Sequence, residues 1–112
     1  MISFTELATK LPAGVIEFVG NNQVKINCSL LTDDALTLDS SVVESVVKLL
    51  QGLTSLTEQI NATRATHNPP QAPITFATAQ MVGTPSAPRY SLTVDVAVNV
   101  QSFNNNLLDP TG

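Results

Sequence analysis

Tryptophan is absent, tyrosine occurs once and phenylalanine four times, so aromatic side chains make up only 4% of the chain. Any interface built from this sequence would rest on aliphatic packing and not on the aromatic anchors that usually dominate binding. Charge is scarce too, at 12% of residues, about half the usual share. The five cations, Lys10, Lys25, Lys48, Arg64 and Arg89, are scattered singly in a chain of net charge −4. Counterion release from a phosphate backbone needs such charges in a cluster, so no nucleic-acid partner is expected. Binding to an anionic membrane surface is not expected for the same reason, and no apolar run approaches the roughly 20 residues that span a bilayer. The opening MISFTELATK has no basic region followed by a continuous apolar stretch, which makes a cytoplasmic location the expectation.

The chemistry-bearing residues are equally sparse. Cys28 is the only cysteine, which excludes an internal disulfide, and it alternates into the apolar side of the strand-like run VKINCSL, where a thiol is inert. His67 is the only histidine and lies in the proline-rich ATHNPPQAP segment, with no second ligand or catalytic partner close in sequence. Asp33, Asp34 and Asp39 lack the spacing, glycine and final glutamate of a calcium loop. The five glycines are too dispersed to cradle a phosphate. No catalytic residue, metal ligand or cofactor site is identified, and enzymatic activity is not expected.

What remains is a pattern of elements. The 112 residues suit one domain, read as residues 1–103, followed by a flexible tail at 104–112. Ser3 and Glu6 have capping-box spacing, predicting a short helix from about Phe4 to Lys10 that Pro12 ends. VIEFV and VKINCSL are strand-like runs separated by Gly20-Asn21-Asn22-Gln23, a hairpin signal because glycine and asparagine tolerate positive φ. From Ser41 to Asn61 the spacing of Val42, Val46, Leu49, Leu53, Leu56 and Ile60, alternately four and three residues, predicts one long helix opened by Ser41 and Glu44. Beyond the prolines, Ile74–Val82 and Tyr90–Val100 read as a second pair of strands joined by a projecting loop, GTPSAPR. The expected fold is α+β: two antiparallel β-hairpins forming a four-stranded sheet packed on one long central helix, with a short N-terminal helix.

Two functional readings follow. The first is a small, acidic, non-enzymatic protein-protein interaction or assembly module, a homo-oligomer or a binder of another protein. Its contact would use the sheet or the second half of the helix, where the apolar stripe narrows to Leu53, Leu56 and Ile60. The first half, from Val42 to Leu50, is expected against the domain's own sheet. On that division Leu56→Asp would dissociate an oligomer and Val46→Asp would unfold the domain. The second reading is a small-molecule-binding or regulatory domain with a shallow pocket between sheet and helix, lined by Thr75, Ala77, Ala79, Thr93, Ala97 and Asn99.

Overall fold

The computed structural model describes residues 1–99 and 106–112. Its elements are α1 (Phe4–Ala8), the strands β1 (Ile16–Gly20) and β2 (Gln23–Ile26), α2 (Cys28–Thr32), α3 (Val43–Ala65), β3 (Ala77–Thr84), β4 (Ala87–Val94), and the short strands β5 (Val98–Asn99) and β6 (Asn106–Leu107). The class is α+β. Val100 and the expected domain boundary after Phe103 lie outside the described residues.

Local chemistry accounts for the start of the chain. Ser3 Oγ accepts from the Glu6 N–H at 3.1 Å, as the first capping box requires. Hairpin β1–β2 turns at Asn21 and Asn22, both at positive φ, and Val19 forms a bulge between the pairs Phe18–Val24 and Gly20–Gln23. The run read as a strand through Leu30 stops at Ile26. Asn27 caps α2 by accepting from the Leu30 N–H at 3.3 Å, so Cys28 opens a helical turn instead of continuing a strand. Five residues are too few for an apolar period to separate helix from strand, and the cap decides it.

The long helix follows its predicted period and runs 23 residues. Its capping differs from the box expected of Ser41 and Glu44, because Ser41 Oγ accepts from the Val43 N–H, two residues ahead, at 3.2 Å. The helices α1 and α2 and the strand β3 all pack on α3. Gly52 admits α1: a Cβ there would lie 2.7 Å from Leu11 Cδ2 and 3.3 Å from Leu7 Cδ1. The Leu7 and Leu11 side chains thereby occupy space that a side chain at position 52 would contest.

Beyond α3 the chain folds back along the helix that precedes it. Arg64 Nε donates to the Ala72 carbonyl at 2.7 Å, and the Arg64 carbonyl accepts from the Gln71 N–H at 2.9 Å. Asn61 grips Ile74 twice, accepting from its N–H at 2.8 Å and donating to its C=O at 3.1 Å. Thr57 Oγ1 donates to the Leu53 carbonyl at 2.8 Å and accepts a longer bond, 3.4 Å, from the Ala77 N–H. Residues 57, 61 and 64 share one helix face, so a prolyl segment unable to form a ladder of its own is laced to side chains instead.

The second hairpin departs from expectation at both ends. Its strands stay in register from Ala77–Val94 to Thr84–Ala87, leaving only Pro85 and Ser86 as the turn. The projecting GTPSAPR loop is thus mostly strand. Pro88 pairs with Gly83, one step from the turn-closing pair, where an N–H points away from the partner and its loss breaks no bond. Gly83 has φ +91°, and a Cβ there would lie 2.5 Å from the Ala87 carbonyl oxygen. At the other end the long last strand stops at Val94.

Among the described residues the two hairpins are separate two-stranded sheets and do not join edge to edge into the expected four-stranded sheet. The second hairpin is attached to α3 directly, starting where Asn61 fixes it, whereas of the elements before α3 it is α1 and α2 that pack on the long helix. From Asn106 on, the chain is tied back: β6 pairs with β5, the Leu108 N–H donates to the Ala97 carbonyl at 2.8 Å, and Asp109 Oδ2 accepts from the Ile2 N–H at 2.9 Å.

Two expected outcomes follow from these bonds. Asn61→Ala leaves both polar groups of the partly buried Ile74 peptide without their partner, which destabilises by about 2 kcal/mol, measurable by urea unfolding. Asp109 is held below the ordinary carboxylate pKa by hydrogen bonds from the Thr111 hydroxyl, the Thr111 N–H and the Ile2 N–H. A depressed folded pKa means the tie is complete above the unfolded value of about 4 and is lost as pH falls through the lower folded value. The Ile2 amide resonance, followed by NMR in an acid titration, is expected to lose its hydrogen-bonded shift only below about pH 4.

Candidate functional site: an uncovered apolar surface

The enclosed apolar side chains among the described residues are Val15, Leu31, Leu56 and Ala77. Most other large apolar groups are half-buried or open to solvent, and their placement is not random. In hairpin β1–β2, the pairs Ile16–Ile26 and Phe18–Val24 place four apolar residues on one face, with Glu17–Lys25 on the other. Helix α1 sets Phe4, Thr5 and Ala8 beside that face. The result is an open apolar groove of about 470 Å³ lined by Phe4, Thr5, Ala8, Ile16, Phe18 and Val24. Phe4 is 58% and Phe18 72% exposed, so two of the four phenylalanines lie on a surface without a cover. A smaller recess of about 270 Å³ adjoins it through Phe4 and includes Ile2, Leu7 and Leu53.

The central helix divides, but in the opposite sense to the expectation. Leu56 is 2% exposed, and Leu53 and Ile60 are half-buried. In the first half, Val42 is 67%, Val43 64% and Val46 45% exposed. Neither hairpin reaches the valines, because the fold-back fixed by Asn61 and Thr57 places β3 over the helix's later turns. Of the three residues singled out in sequence, Leu53 borders the uncovered recess, Leu56 is enclosed by its own chain, and Ile60 is partly covered.

The second hairpin has one apolar face, with the pairs Ala77–Val94, Ala79–Leu92 and Met81–Tyr90, and one mainly polar face, with Thr78–Thr93, Gln80–Ser91 and Val82–Arg89. The apolar face is covered at its base, where Ala77 is buried, and open toward the tip, where Met81 is 66% exposed. A recess of about 220 Å³ between this base and α3 includes Thr57, Asn61, Thr75, Ala77 and Ala79. It gathers three of the six residues expected to line a shallow pocket. Thr93 and Ala97 stand apart from it as exposed residues, and the side chain of Asn99 lies outside the described set.

The polar candidates stay dispersed. Cys28 is a half-buried free thiol on α2, and exposed His67 Nδ1 lies 3.0 Å from the Thr63 carbonyl. Asp33 supplies the left-handed residue that closes α2. Among the described residues no three His, Cys, Asp or Glu side chains gather as a metal site, and no helix is long and apolar enough to cross a membrane.

Sequence reasoning missed the groove. Its one available signal was that Phe4 and Phe18, in a chain so poor in aromatics, belong to short amphipathic elements with too little chain nearby to cover them.

Burial reverses the expected mutational contrast. Leu56→Asp is expected to unfold the protein, since a carboxylate would replace an enclosed side chain, at about 4 kcal/mol or more. Val46→Asp is expected to leave the circular dichroism spectrum and melting temperature nearly unchanged. The chain matches no family model, no curated protein and no solved structure.

Proposed function

We propose that this chain is a small non-enzymatic interaction or assembly module that associates with further copies of itself. The observation that supports this most directly is its surface. The chain exposes 8144 Å², whereas a compact monomer of its 11.9 kDa mass exposes about 6,000 Å². Its radius of gyration is 16.5 Å, against about 13 Å for a compact domain of this length. The difference in area, about 2,000 Å², is on the scale that each partner contributes to a large obligate interface. The open surface is also of the right kind: among the described residues it is apolar and non-aromatic at Val42, Val43, Val46 and Met81, and its exposed aromatics are Phe4, Phe18 and Tyr90. Charge depletion of this sort marks interface centres. The helix would contribute through its first half and through Leu53, because Leu56 is already covered.

A second reading rests on the groove between α1 and the first hairpin, whose 470 Å³ falls within the usual range of small-molecule sites. An apolar ligand there would be held by Phe4 and Phe18, and saturation at a hundred times its dissociation constant would stabilise the fold by about 2.7 kcal/mol.

Light scattering coupled to gel filtration separates the readings. A dimer or higher oligomer at micromolar concentration is the expected result. A strict monomer whose melting temperature rises with apolar ligands would replace self-association with the second reading.

A further inference from the structure

Resting on the self-association just proposed, we infer that two copies meet along the outer edge of β4, forming a four-stranded sheet in the order β3–β4–β4–β3 across a two-fold axis. A two-stranded ribbon with most of its surface in water is marginal by itself, and this one is buried only at its base. Among the described residues no strand pairs with the outer edge of β4.

Register fixes which groups are available. The Asp95 N–H donates to the Phe76 carbonyl at 2.9 Å, and the pairs alternate from there to the turn. Thr93, Ser91 and Arg89 therefore bond inward to β3, while Tyr90, Leu92 and Val94 present N–H and C=O outward. Pro88 is the next outward position, and having no N–H it ends the available edge.

Self-pairing of this edge has one favourable alignment. With Leu92 on the two-fold axis, Tyr90 lies opposite Val94 of the second copy, and Ser91 opposite its Thr93. Arg89 then lies opposite Asp95, twice, because the symmetry repeats the pair. Both side chains are exposed in the single chain. An axis perpendicular to the sheet keeps like faces together, so the apolar Met81–Tyr90 side of each ribbon continues into that of its neighbour. The opposite edges are less able to propagate. The β3 edge is met at its base by α3, through Thr57 and Ala77, and closure as a dimer follows.

Charge reversal in the full-length chain tests the alignment. Arg89→Asp alone and Asp95→Arg alone each create two like-charge pairs and are expected to weaken the dimer about tenfold by sedimentation equilibrium. The double variant restores opposite charges and is expected to recover dimerisation, with circular dichroism unchanged throughout. Hydrogen exchange in the unmodified dimer is expected to show protected amides at Tyr90, Leu92 and Val94. A dimer whose affinity ignores both single reversals and whose three amides exchange freely overturns β4 pairing while leaving self-association intact. A strict monomer overturns both.

Discussion

The double hydrogen bond between the Asn61 side chain and the Ile74 peptide sets the architecture of the second half of the chain. It imitates one rung of a β-ladder, with an amide side chain standing in for a neighbouring strand. Because Asn61 lies on the penultimate turns of a rigid helix, the rung fixes where the returning chain runs and where β3 starts. Thr57 and Arg64 extend the same row, so the helix acts as a polar template for a segment that prolines bar from regular structure. Cover for Leu56 and Ala77, exposure for the opening valines of α3 and separation of the two hairpins all follow from that placement.

With so few side chains fully enclosed, the single chain buries little apolar area for its length, and burial is the main favourable term in folding. Specificity is carried disproportionately by polar devices: caps at Ser3 and Asn27, a turn at Asn21 and Asn22, and the Asn61 row. Such devices define geometry well and contribute modestly to net stability. A chain organised this way has a determined shape with apolar surface to spare, a combination suited to assembly.

The parts legible in sequence were those governed by neighbours a few residues apart. The spacing of Val46, Leu49, Leu53 and Leu56 announced the helix, and Gly-Asn-Asn announced the first hairpin. The parts that were not legible depend on distant partners. Nothing periodic marks a bond between residues 13 positions apart, such as Asn61 and Ile74, so the stripe on α3 could be recognised without knowing which of its halves would be covered. The turn at Pro85–Ser86 was hidden for a related reason: Pro88 suits a strand only when register places its missing N–H outward, and register belongs to the pair of strands. The candidate site suffered most, because exposure of Phe4, Phe18 and Met81 is a statement about everything that fails to reach them.

Gly52 gives the N-terminal segment a detent on the long helix. Leu7 and Leu11 seat in the notch left by the missing side chain, and Phe4 and Ala8, on the same short stretch, line the apolar groove on the other side. Leu7 lies between Phe4 and Ala8 on α1, so the seating of that short helix on α3 and its placement along the groove are set together. A glycine on the far side of α1 thereby takes part in positioning a surface that it does not line.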